Sequence, residues 1–422
     1  MSERNRSIIR VFGVVMVSIL VLAACAPAAP AVEDQLEIFS WWTTGGEAAG
    51  LEKMFELYKG EFPNTEIINA TVAGGAGFEA KPALKARMLG GDPPDSFQVH
   101  MGHELIDTWV TTDFMEPLDD VFQEEGFNEV FPPGVLEIVS YDGHPWSVPV
   151  NIHRANVLWY NKKVFEENGW TAPTTFDEFF ALADVMQAAG VTPLALGDVG
   201  IWASTHLFEV VLAGTLGPDK YIGLWTGETD WNSAEVTQAL ESMARMLGYA
   251  NPDHSALSWD QANDLVIAGS AGMTIMGDWV DADNLAKNFP DSGWAPPPGT
   301  QGTFVALSDT FGLPKDVPHP EAAKEWLRLA GSKAGQEAFN PVKGSICARN
   351  DCDKNLFGTY LQSAMDDWAK DSIVPSLAHG AAASESWVTM INDVMTSFVS
   401  DLDVAKAQSG LAQACVDAGV CQ

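Results

Sequence analysis

Short apolar runs that read as strands alternate with segments of helical period along most of the chain. That alternation limits the fold more than any other feature. "LEIF" (Leu36 to Phe39) is followed by Leu51, Met54, Phe55 and Tyr58, spaced i, i+3, i+4 and i+7 as on one face of an amphipathic helix. "EIINATV" reads as a strand, "FEAKPALKARMLGG" as a helix ended by glycines, and "AGMTIMGDWVDADNLAKNF" as strand, turn and helix. "TTFDEFFALADVMQAAG" opens on Thr174 or Thr175 with acids behind it and stops at Gly190, a capped helix. The pattern predicts α/β layers. Two stretches break it: "HPWSVPVNIHRANVLWYN" (His144 to Asn161) and "WAPPPGTQGTFVALSDTFGLPKD" (Trp294 to Asp316) are long, extended and interrupted by proline. Each is a candidate crossing between two domains, and 422 residues suit two cores. No internal repeat is visible.

The amino-terminal segment is of another kind. Arg4, Arg6 and Arg10 precede an apolar stretch, Val11 to Ala24, that is short for a bilayer span. Leu22-Ala23-Ala24-Cys25 resembles a bacterial lipobox, which implies an exported protein cut before Cys25 and lipidated there. A plain secretory leader is the alternative. The expected division is a signal peptide over 1–24 and an anchor and Ala/Pro-rich linker over 25–35. A formal net charge of −34 disfavours nucleic acid and anionic lipid head groups as partners. Export and an even count of remaining cysteines predict disulfides, with the local pairs Cys347–Cys352 and Cys415–Cys421 chosen from three possible pairings.

The polar residues at strand ends are informative. In "SFQVH", Gln98 and His100 share a face opposite Phe97 and Val99, whereas a central parallel strand is normally apolar on both sides. Open α/β sheets bind ligands beyond the carboxyl ends of strands. Trp41-Trp42, Gly277-Asp278-Trp279 and Ser308-Asp309-Thr310 occupy similar places. Each has a structural alternative: the tryptophans as core, Asp278 as a helix cap, Gln98 and His100 as bonds to loops. Phosphate-loop, nucleophile-elbow and zinc-protease motifs are absent from the sequence, and "AGGAG" (Ala73 to Gly77) lacks the lysine of a phosphate loop. "HMGHE" has two histidines and a glutamate but no further ligand cluster, so no metal or cofactor is expected.

"LEIFSWWTTGGEAAGLEKMFELYKGEFPN", "KARMLGGDPPDSFQVHMGHELIDTWV", "VPVNIHRANVLWYNKKVFEENGW" and "IMGDWV" resemble the extracellular solute-binding proteins of bacterial ABC sugar importers, and among them the glucose/galactose-binding group. The similarity runs from about residue 36 to about residue 400; the carboxyl-terminal cysteines fall outside it. The resemblance implies an α/β, two-lobed periplasmic-binding-protein fold of class II type, with lobe I over 36–150 and 305–340 and lobe II over 151–304 and 341–422. It implies a monomeric, non-enzymatic receptor that captures a monosaccharide in the cleft and hands it to a membrane permease. Receptors for an oligosaccharide or polyol, or a secreted carbohydrate-active enzyme, are the other readings. Matched residue by residue, it places Trp41, Trp42, Glu47, Gln98, His100, Trp259, Asp309, Lys343 and His379 at the sugar. In that role indole faces would pack on pyranose C–H groups, with Gln98, Glu47, Asp309 and Lys343 bonded to hydroxyls.

Overall fold

The computed structural model describes residues 34–422; Cys25 and the expected leader and anchor lie outside them. In chain order the strands that build the site are β1 (Asp34–Phe39), β2 (Thr65–Asn69), β3 (Ser96–His100), β4 (Ser147–Pro149), β5 (His153–Arg154), β6 (Val157–Asn161), β7 (Thr192–Ala195), β8 (Ala271–Met276), β9 (Ser292–Ala295), β10 (Thr303–Leu307), β11 (Asp309–Gly312) and β12 (Ser372–Pro375). The helices that matter are α1 (Gly45–Glu61), α2 (Ala80–Leu89), α3 (Phe176–Ala188), α4 (Trp202–Leu216), α5 (Trp259–Ile267), α6 (Trp279–Ala286), α7 (Pro320–Gly331) and α8 (Lys333–Lys343).

Two lobes result. The first is built on a sheet of order β2-β1-β3-β11-β4, in which β1 pairs parallel with β2 and β3, and β11 pairs antiparallel with β3 and β4. The second contains a sheet of order β9-β6-β8-β7 and a smaller one, β12-β10-β5. The i, i+3, i+4, i+7 face of α1 is buried, and α1 packs on α7 and α8. Thr175 caps α3, with Glu178 closing the capping box.

The chain passes between the lobes three times. The first two crossings, Val150–Ile152 between β4 and β5 and Ser308 between β10 and β11, fall inside the two extended stretches. The third follows α8, where Ile346 bridges Ile152. No extended run marks this crossing in the sequence, because a single bridged residue suffices. The lobe boundaries lie slightly later than expected. β10 stays in the second lobe's sheet through Leu307, and α8 remains packed on α1 up to Lys343. Cys347 is bonded to Cys352 beside this crossing, and Cys415 to Cys421 near the carboxyl terminus. Among the described residues no helix is long and apolar enough to cross a membrane.

Candidate functional site

All three crossings converge on one cavity. It holds about 370 Å³ of space between the lobes and is walled by Trp41, Trp42 and Glu47 from the first lobe and by Trp202, Trp259, Trp279 and His379 from the second. Asp309, His153 and Lys343 close its floor.

The floor is a buried ionic network. Asp309 opens β11 directly opposite His100 on β3. Its carboxylate accepts from Gln98 Nε2 at 2.7 Å and from Asn151 Nδ2 at 2.8 Å, with His153 Nε2 at 3.4 Å. Burial alone would raise the Asp309 pKa. The His153 bond and the charges of Lys343, His153 and His100 outweigh it and hold the group well below the carboxylate range. Lys343, at the end of α8, lies 3.1 Å from both Glu47 Oε1 and His153 Nε2. His153 Nδ1 bonds Asp278. For His153, burial and Lys343 pull the pKa down, and Asp278 and Asp309 raise it further than that. Asp278 stands at the cap position of α6 but makes no side-chain cap; its second oxygen accepts from the Arg154 N–H at 2.8 Å. The carboxylate at the second lobe's strand end therefore grips the first crossing.

The walls are aromatic. Trp41 lies against His100, ring centroids 5.0 Å apart. Trp42 packs on Phe339 at 4.9 Å and edge-on to Phe311 at 5.7 Å, with Lys343 Nζ 5.7 Å from its ring. It belongs to the core and to the cavity at once, so the two readings of the tryptophan pair are not exclusive. His100 Nδ1 is held by Glu104 Oε2 at 2.7 Å, and Lys81 reaches the same oxygen at 2.6 Å. Burial opposes ionisation of Glu104, but Lys81 and His100 bring its pKa down to about 2. Glu47 sits in the first turn of α1, where the helix dipole favours a carboxylate. Trp259, the first residue of α5, is half-buried at the rim.

Eight of the nine expected contact residues line the cavity. Gln98 does not. Its amide is spent on Asp309 and on the Trp41 N–H at 3.1 Å, so it orients one floor residue and one wall residue from behind. Three lining side chains were missed or left without a role in the sequence: Trp202, His153 and Trp279. Trp279 follows a strand end that was noted. His153 carried a usable signal, being one of several polar residues, with Asn151, Arg154 and Asn156, in an extended crossing. Trp202 carried none, since it reaches the site only through the packing of α4. The "AGGAG" loop also finds its place: a Cβ on Gly75 would lie 2.7 Å from Trp202 Nε1, so glycine allows the first lobe's loop to touch the second lobe's indole. The "HMGHE" histidines part company, His100 to Glu104 and the exposed His103 to Asp107.

Residues 42–337 match the model of the bacterial extracellular solute-binding proteins. The chain belongs to that family. A probable sugar-binding periplasmic protein of Brucella suis is 35% identical over 386 residues, covering 89% of this chain and 90% of that one. An uncharacterised ABC-transporter extracellular-binding protein of Pyrococcus horikoshii is 36% identical, covering 90% and 87%. Among solved structures, the bacterial solute receptor AcbH, described as exclusive for β-D-galactopyranose, superposes with a TM-score of 0.82 at 21% identity, covering 92% of this chain and 98% of that one. At that identity the likeness speaks for the fold.

Proposed function

We propose that this solute-binding protein captures a monosaccharide, glucose in the first place and galactose or mannose as near alternatives, and delivers it to an ABC permease. The observation that carries the reading is the composition of the cavity. Indole faces stand on both lobes, while a carboxylate network, an ammonium and three imidazoles line the floor and sides. A pyranose has apolar C–H faces and a polar edge, and each finds a matching surface here. Hydroxyls that lose water without finding a partner cost about 1–3 kcal/mol each, which is how such a site would reject a wrong epimer. Cys25 as a lipid anchor, export to the outer face of the cell membrane or periplasm, action as a monomer and the absence of catalysis belong to the same proposal.

One observation favours a longer ligand. Beyond Glu47, Trp259 and Trp279 the cavity adjoins a groove of about 670 Å³ bordered by Thr44, Asp260, Asp283 and Lys287. A second sugar unit would lie there. Titration calorimetry with glucose, galactose, mannose, xylose, maltose and raffinose decides between the two. Saturable one-to-one binding of a hexose supports the first reading. Binding of the oligosaccharides alone would overturn it, and turnover of a disaccharide would overturn both.

A further inference from the structure

Behind His379 lies a buried chain of polar groups that the cavity floor does not use. Glu209 and His206, on α4, and Ser376 are all 0% exposed. Glu209 has no Lys or Arg partner among the described residues; its one ionic neighbour is His206 Nδ1 at 3.6 Å. Its Oε2 accepts the backbone N–H groups of Leu377 at 2.5 Å and Ala378 at 3.0 Å. Those donors cannot reverse, so that side of the carboxyl is fixed as an acceptor. Ser376 Oγ lies 3.0 Å from each carboxyl oxygen and 2.8 Å from His379 Nδ1.

We propose that Glu209 and Ser376 are positioning residues that hold the His379 ring proton on Nδ1, so that Nε2 meets the cavity as a hydrogen-bond acceptor for a sugar hydroxyl. The proposal rests on the monosaccharide reading for its ligand only. A serine hydroxyl has one proton. Given to the Glu209 carboxylate, it leaves Ser376 able only to accept from Nδ1, and a neutral imidazole protonated on Nδ1 carries its lone pair on Nε2. His379 is kept neutral by burial first, reinforced by the neighbouring His100, His206, Lys81 and His153 side chains. His379 Nε2 has no hydrogen bond among the described residues, and the ring lines the cavity. The site then holds acceptors at Glu47, Asp309 and His379 against an obligate donor at Lys343, which fixes the direction in which the hydroxyl near His379 must donate.

Burial pushes the Glu209 carboxyl up to about 7. The groups facing it are His206 on its own helix, the Tyr221 hydroxyl, which donates to the Pro375 carbonyl at 3.1 Å, and the Ser376–His379 turn. At pH 8.5 it is therefore a carboxylate. Glu209→Gln imposes the opposite polarity. Its carbonyl must still serve Leu377 and Ala378, so its amide donates to Ser376, whose hydroxyl then donates to Nδ1, and the ring proton moves to Nε2.

The test is ¹⁵N NMR of histidine-labelled, ligand-free full chain at pH 8.5, with His379 assigned by the signal lost in His379→Gln. The expected result is a protonated Nδ1 in the wild type, the reversed tautomer in Glu209→Gln and a mixture in Ser376→Ala, which leaves the Glu209 backbone bonds in place should the first variant not fold. A wild type protonated on Nε2, or tautomers unmoved by both variants, would overturn the proposal. So would a stoichiometric metal ion in the purified protein, because His206, Glu209 and His379 offer ligand atoms within 4.8 Å of one another and a metal there would take a ring nitrogen of His379. Calorimetry with glucose and its deoxyfluoro analogues adds the functional arm. The analogue missing the hydroxyl that faces His379 should bind the wild type about tenfold more weakly than glucose, with the gap largely closed in Glu209→Gln. An equal gap in both proteins would count against the assigned direction. Failure of every monosaccharide to bind would remove the ligand reading and leave the tautomer result standing, since the latter is read without sugar.

Discussion

Trp41 and Trp42 are neighbours in the chain with unequal second roles. Trp42 is 1% exposed and wedged between Phe311 and Phe339, so Trp42→Ala is expected to lower stability by about 3–5 kcal/mol as well as weaken sugar binding. Trp41 leans on His100 and the Gly77 backbone at the cavity wall. Trp41→Ala should cost about 2 kcal/mol of binding, about 30-fold, and only a few degrees of melting temperature. Calorimetry and thermal melts on both variants check this; equal losses of melting temperature would contradict the division of labour. Glu104 makes a second residue-level test. Its folded pKa, about 2, is below its ordinary 4.5, so its stabilising contribution is complete above pH 4.5 and lost as pH falls through 2. Glu104→Gln is therefore expected to be less stable than wild type by roughly 2–3 kcal/mol at pH 7, with the gap narrowing below pH 4.5 and vanishing near pH 2. Urea denaturation across that range measures it, and a gap independent of pH would refute the charge argument.

At the scale of elements, the seam between the lobes is as telling as the sheets. Gly75 belongs to the loop after β2 and faces Trp202 at the start of α4. Gly75→Ala is expected to weaken sugar binding about tenfold by obstructing this seam, with little change in melting temperature, since neither lobe's core is touched. Unchanged affinity would show that the seam yields freely. The elements also mark what was legible beforehand. Strand and helix periods, the α3 cap and two crossings could be read, because each is a local pattern of apolar spacing or turn chemistry. The polar ends of β3 and β11 could be read because polar side chains in a buried strand need a reason. Trp202 and the Glu209–Ser376 pair could not. α4 is buried on nearly every side and shows no face to advertise them, and Ser376 meets Glu209 across 167 residues of chain. Gln98 was legible as a site residue but not as a supporting one, because sequence shows which polar group is buried and not which neighbour takes its bonds.

For the whole molecule, the binding reading and the anchor reading separate cleanly. Cys25→Ala is expected to move the protein from the membrane fraction to the soluble one with sugar affinity unchanged; a wild type already soluble after export would remove the anchor from the proposal. The lobes meet on a cavity into which five of the chain's 15 tryptophans project. A third of its ultraviolet emitters thus stand where water gives way to carbohydrate. Indole emission follows the polarity around the ring and is quenched by nearby ionised groups, of which Lys343 over Trp42 is one. Filling the cavity should therefore change the colour and intensity of the protein's own fluorescence, making the molecule an unlabelled optical gauge of its occupancy.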